Sequence, residues 1–339
     1  MKSSKNKGLV MAILLTFVGV IFLGIVIVGG IVFFNEKTLM VPSDEFPSIS
    51  AAVTAADPGD IILVKTKEDG TPYEENVIID KKNIKLIGIG KTKPVLDGDT
   101  VVGADGITID TTSGVLVQNF IVQNFASDGI FLINSNSNMI KENTVNENDG
   151  EGFLLDNSAS NMIKGNTINE NGLDGMDLNN SASNMIKGNM VNDNGSDGIF
   201  LSTSNSNMIK GNKVIDNTFD GIALSNSSTN MIKGNNVIYN GDDGMDLNDS
   251  NINLIKGNKV NDNGDNGIDL FQSSSNKIKG NTVNDNGDNG IFLNVNANNN
   301  DVFFNRAFDN ETFDIFDGDS NNNFKGNKCD SSNQPNICN

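Results

Sequence analysis

The chain has 339 residues and a net charge of −19, with no histidine, no tryptophan and a single arginine, Arg306. An acid excess of this size excludes nucleic acid as a partner and sets up repulsion toward acidic or sulfated glycans. The absence of histidine removes the commonest general base and metal ligand, which leaves carboxylates as the residues able to carry such chemistry.

From Leu9 to Phe34 the sequence is apolar and uncharged, with only Thr16, Gly19, Gly24, Gly29 and Gly30 as small or weakly polar interruptions. At about 1.5 Å per residue the run reaches roughly 39 Å, enough to span a hydrocarbon core of about 30 Å with some tilt. Lys2, Lys5 and Lys7 precede it, so the positive-inside rule leaves residues 1–7 as a cytoplasmic tail and exports the chain beyond the apolar run. We therefore read 8–34 as a transmembrane signal anchor of a single-pass, cell-surface protein. A cleaved secretory signal is the alternative, and it too exports the rest. Pro42 and Pro47 mark residues 35–47 as a linker.

Beyond the linker, Ser48 to Ala56, closed by Asp57-Pro58-Gly59-Asp60, reads as a short helix ending at a turn. Strand-like runs come next at Ile61 to Val64, Asn76 to Asp80 and Ile84 to Gly88, irregular in spacing. Residues 48–105 are thus expected to form a cap and leading coils. A strict register then begins: Gly106, Gly129, Gly152, Gly175, Gly198, Gly221, Gly244, Gly267 and Gly290 recur every 23 residues. A short unit repeated this often specifies a solenoid, whose units bury their apolar faces against one another.

Within one unit, alternation in Gly198-Ile199-Phe200-Leu201 sets Ile199 and Leu201 on one face and Phe200 on the other. Ile209 and Val214 complete an inward set that recurs as Ile130, Leu132, Ile140 and Val145, and as Ile268, Leu270, Ile278 and Val283. Three short strands and three turns per unit fit this pattern. Asparagines recur in the same phase from Asn138 to Asn276, from Asn143 to Asn281 and from Asn148 to Asn286. Asparagine tolerates left-handed backbone at sharp bends, and its stacked amides can hydrogen-bond from rung to rung. The phase slips by one residue near Val295 to Asn300 and recovers before Asn322. The expected fold is an all-β, single-stranded parallel β-helix over 48–339, with regular coils at 106–316 and a C-terminal cap at 317–339. Cys329 and Cys338, the only cysteines, lie in that cap and read as a disulfide suited to an oxidising compartment.

The helix, turn and leading strands from Phe46 to Gly90, together with the subsequent Asn-Met-Ile-Lys-Gly-Asn units, resemble the right-handed parallel β-helix proteins of the NosD-like and carbohydrate-binding/sugar-hydrolase (CASH) type. The resemblance implies a pectate-lyase-like solenoid. Its range of activities is wide: lyases, hydrolases, epimerases, copper-centre maturation proteins and passive surface proteins.

Outward positions of the first strand are Phe131, Leu154, Asp177, Phe200, Ala223, Asp246, Asp269 and Phe292, stacked at roughly 4.8 Å. Rings can stack on sugar faces while carboxylates accept hydroxyl hydrogen bonds. Phe131, Asp177, Phe200, Asp246, Asp269 and Phe292 are therefore the candidate ligand-binding residues, with polysaccharide as the expected partner; a solvated or laterally packed face is the competing reading. Catalysis would fall to the densest acid cluster, Asp242, Asp243, Asp246 and Asp269, whose neighbouring rungs approach the roughly 5–5.5 Å of a retaining glycosidase pair. Gly241-Asp242-Asp243 resembles the acidic motif of polygalacturonase-like hydrolases, but their Gly-His-Gly and Arg-x-Lys motifs are missing. A methionine column at Met139, Met162, Met185, Met208 and Met231 offers soft ligands for Cu(I), although Leu254 and Lys277 end it. Turns such as Asn261-Asp262-Asn263-Gly264-Asp265 offer oxygens to Ca2+ without EF-hand spacing. Lys141, Lys164, Lys187, Lys210, Lys233, Lys256 and Lys279 form a like-charged row best read as a solvated face. The balance favours a non-catalytic surface binding or structural module with no resident metal or cofactor. A polysaccharide-active hydrolase, lyase or epimerase, and a NosD-like copper-handling protein, are the alternatives.

Overall fold

A computed structural model describes residues 36–318 and 321–338, and the expected cytoplasmic tail and membrane anchor lie outside them. Each regular coil contributes three strands, such as Ile199–Ser202, Met208–Lys210 and Lys213–Ile215. Successive coils stack these into three parallel sheets of 11, 13 and 10 strands. We call them sheets I, II and III in the order in which a coil visits them. Register is strict: Ile199 pairs with Met176 and Ile222, and Met208 with Met185 and Met231. The inward columns fill the interior, with Ile199, Leu201, Ile209 and Val214 fully buried in one coil and their counterparts likewise in the others.

The glycine register has a steric cause. A Cβ on Gly244 would lie 2.2 Å from Val260 Cγ1 and 2.6 Å from the Gly267 carbonyl oxygen. At this corner the chain of one coil rests directly on the next, so side-chain volume rather than backbone freedom demands glycine. The glycine of each Lys-Gly-Asn turn differs. Gly188 has φ 63° and open space around it, and Glu142 holds the same column at φ 59°.

The asparagine columns form continuous ladders. Asn212 donates its backbone N–H to Asn235 Oδ1 (2.9 Å), while its own Nδ2 reaches Asn235 Oδ1 and the Ile186 carbonyl (3.1 Å each). The amide thus satisfies turn groups that burial would otherwise leave unpaired. The slipped coil stays in the ladder, because Asn281 N–H meets Asn305 Oδ1 24 residues away and Asn305 N–H meets Asn327 Oδ1 22 residues away. One expectation is corrected. The ladder asparagines are not themselves left-handed; the residues just before them are, including Ser137, Glu142 and Glu147 at φ 55–60°. Asparagine is selected here for its side-chain amide, and the bend is absorbed one residue earlier.

The expected linker also departs from the reading. Thr38–Val41 is a strand that pairs in parallel with Ile61–Val64 and extends sheet II. Helix Ile49–Ala55 buries Ile49, Ala52 and Val53. The Glu75 carboxylate accepts from the N–H groups of Ile49 and Ser50 (2.8 and 2.9 Å), and Lys81 Nζ donates to the carbonyls of Val53, Thr54 and Ala56. An acid at the N-terminus and a base at the C-terminus both complement the helix dipole. At the other end Cys329 and Cys338 are joined in a disulfide. Asp314 is buried there and accepts the N–H groups of Asp330 and Ser331 (2.9 and 3.0 Å), which ties that segment to the last coil. No helix among the described residues is long and apolar enough to cross a membrane.

Candidate functional site

The outer face of sheet I carries the stripe singled out in the sequence. Asp177 lies between Leu154 and Phe200, and Asp246 between Ala223 and Asp269, each one rung apart. Phe131, Asp177, Phe200, Asp246, Asp269 and Phe292 are all half-buried, so none of the rings stands free of the face. Phe292 also packs against Phe316, tilted by 52° at 5.1 Å between ring centroids, and Phe316 in turn lies 5.6 Å from Phe313. The stripe therefore ends in an aromatic cluster beside Asp269, with two members that the slipped register hid.

A second acidic column borders the stripe, and the sequence reading missed all of it except Asp243. The residue before each register glycine is Asp105, Asp128, Glu151, Asp174, Asp197, Asp220 or Asp243 in successive coils, then Asn266 and Asn289. Oδ1 of Asp174, Asp197, Asp220 and Asp243 each accepts the backbone N–H of the same column one coil on, at 2.7–2.9 Å. These side chains are a structural ladder that also charges the edge of the face. A period of 23 immediately before the glycines was the available signal.

Burial and, after it, mutual repulsion make several acids of this face hard to ionise, Asp220 and Asp243 in the column and Asp177, Asp246 and Asp269 on the stripe. Desolvation, and after it the charges of Asp269 and Asp220, pushes Asp243 up to about 9. Desolvation and then Asp197 raise Asp220 to about 8. On the stripe, desolvation and then Asp246 raise Asp269 to about 7; desolvation and then Asp174 raise Asp177 to about 7; desolvation and then Asp242 raise Asp246 to about 6. Asp177 Oδ1 and Asp269 Oδ1 are shielded from solvent and meet no donor, which further disfavours their charged forms.

The acids of the catalytic alternative divide between two trios that share Asp243. Carboxylate oxygens of Asp243, Asp246 and Asp269 lie within 4.8 Å of one another, as do those of Asp242, Asp243 and Asp265. Either trio has the oxygen donors and span to hold a hard divalent cation such as Ca2+. The methionine and lysine columns run in register on sheet II, away from this acidic face.

The sequence matches the model of a family described as right handed beta helix region over residues 105–251 and 217–329. The chain belongs to the right-handed β-helix family. The A-module of the Azotobacter vinelandii mannuronan C-5 epimerase AlgE6 is 14% identical, with a TM-score of 0.65 over 84% of this chain and 93% of that module. Dettilon tailspike protein is 16% identical, with a TM-score of 0.70 over 87% of this chain and 68% of its own. The enzymatically active domain of bacteriophage CBA120 tailspike protein 2 is 16% identical, with a TM-score of 0.62 over 89% and 52% respectively. At such identities the likeness establishes the fold alone. No curated protein matches the sequence.

Proposed function

We propose that this right-handed β-helix is an anchored, extracytoplasmic protein that holds a neutral polysaccharide along the outer face of sheet I without cleaving it. The observation that carries the reading is the run of consecutive rungs Asp246, Asp269, Phe292 and Phe316, where desolvated carboxyls adjoin an aromatic cluster. Carboxyls with affinities for protons near neutrality offer both donors and acceptors to sugar hydroxyls, and the rings offer apolar contact to the C–H faces. The net charge of −19 favours a neutral chain over a polyanion. One structural neighbour is named for an action on mannuronan, an acidic polysaccharide, which supports polysaccharide as the ligand class, while the neutrality of the ligand rests on the charge of this chain.

The convergence of Asp243, Asp246 and Asp269 within 4.8 Å favours one second reading, a polysaccharide-active hydrolase, lyase or epimerase. A panel of neutral and acidic polysaccharides, scored for both retention of the protein and release of reducing ends or unsaturated products, separates the two. Retention on a neutral glycan with no product is expected. Products that vanish in Asp246→Asn would establish the second reading, and absence of retention across the panel would sink the first. The anchor is tested separately by protease treatment of intact cells, which should remove the β-helix and spare residues 1–7.

A further inference from the structure

Sheet III breaks its own repeat at mid-length. In the regular coils from Thr144 to Asn284 the third position of its strands is Asn146, Asn169, Asn192, Asn261 or Asn284, but Ile215 and Ile238 in two consecutive coils; the flanking strands carry Asp97, Gln123 and Phe308 there. The next residue is acidic at Glu147, Glu170, Asp193, Asp216, Asp262 and Asp285, but Tyr239 in the second of these coils. Tyr239 is held at φ 61°, a backbone region unfavourable for a bulky side chain. It gains no core packing in return, because it is 55% exposed.

These substitutions surround a concavity of about 380 Å³, a size within the range of small-ligand sites. Ile215 and Ile238 give it an apolar floor, with Tyr239 at one side and Met190 at the other. Its rim carries the carboxylates of Asp193 and Asp216, with Lys213 as the single cation. Asn192 donates Nδ2 to Asp193 (2.6 Å), while its Oδ1 is shielded from water and meets no donor. The wall thus offers the Asp193 and Asp216 carboxylates as acceptors, with the Lys213 ammonium and the Tyr239 hydroxyl as donors, beside an apolar, aromatic floor. Its complement is a compact molecule with many hydroxyls and one C–H face.

We propose that this concavity is a second site, on a different sheet from the acidic stripe, that binds a single neutral pyranose ring. The C–H face lies on Ile215, Ile238 and Tyr239, and the hydroxyls donate to Asp193 and Asp216. It stands independently of the function proposed for sheet I.

The chain supplies its own probe. With no tryptophan and Tyr73 only 2% exposed, surface-sensitive tyrosine fluorescence reports Tyr239. Titrating the full-length chain with methyl β-D-glucopyranoside, methyl α-D-mannopyranoside and methyl β-D-galactopyranoside should give, for at least one, a saturable emission change with a dissociation constant of about 1 mM. Saturation-transfer NMR should show contact from the ring C–H groups. Ile215→Asn and Tyr239→Asp restore residues that other coils carry at these columns, so both variants should fold, and each should weaken the NMR-detected binding by about tenfold or more. Lys164→Gln, on the exposed face of sheet II, should leave it unchanged. Absence of saturable change and of saturation transfer for all three glycosides would overturn the proposal. So would NMR-detected binding that survives undiminished in both restored variants, or binding that is equally lost in Lys164→Gln.

Discussion

At the residue scale, the molecule uses carboxyls where solvation opposes charge. Asp220, Asp243 and Asp269 hold protons up to about 8, 9 and 7 in the folded state, whereas the unfolded chain releases them near 4. Their contribution to stability is therefore fully present below about pH 4 and is lost as pH rises through about 7 to 9. Thermal melts should show a lower Tm at pH 9 than at pH 6. Asn266 and Asn289 already occupy the Asp243 column, and Asn266 Oδ1 accepts the Asn289 N–H at 3.2 Å. Asp243→Asn should accordingly keep the ladder bond and remove the ionisation. At pH 9 it should stabilise by about 1 kcal/mol or more, roughly 2–4 °C in Tm, with little effect at pH 5. A Tm that is flat in pH, or a variant that destabilises equally at both values, would show that these acids are charged and satisfied.

At the scale of the element, the side-chain ladders make the turns. The amide of Asn212 serves two backbone groups of the preceding coil, accepting the Asn189 N–H at 2.9 Å and donating to the Ile186 carbonyl at 3.1 Å, and links to the next coil through Asn235 Oδ1. Asn212→Ala would strand that N–H and the Ile186 carbonyl in the interior, and we expect a loss of about 2–5 kcal/mol in denaturant unfolding. A loss below about 1 kcal/mol would mean that water or relaxed geometry replaces the amide. A serine ladder works in the same way: Ser204 N–H donates to Ser227 Oγ, and Ser204 Oγ reaches the Leu178 carbonyl (2.9 Å each). The sequence displayed this column, Ser135 through Ser273, as plainly as it displayed the asparagines. It escaped notice because serine in a turn has an ordinary local explanation. The aspartates before the glycines escaped similarly, as turn residues whose burial only the stacking of coils reveals.

For the whole molecule, periodicity made the architecture legible, because identical columns can satisfy one another only by stacking in register. Sheet assignment and the inward set Ile199, Leu201, Ile209 and Val214 came from alternation. Places where the period lapses were less legible: the strand Thr38–Val41, the Phe292–Phe316 contact across the slipped coil, and the concavity beside Tyr239. Each depends on which coils become neighbours, and no local pattern encodes it. The same holds for the stripe, whose residues were identifiable while their partial burial and shifted proton affinities were not.

The central claim is that the outer face of sheet I holds a neutral polysaccharide, and the most direct test is the affinity of stripe variants for the polysaccharide that retains the parent protein best. Phe200→Ala and Asp246→Asn should each weaken binding by about tenfold with Tm within about 3 °C of the parent at pH 6. Affinity unchanged in both variants, with the fold intact, would contradict the account.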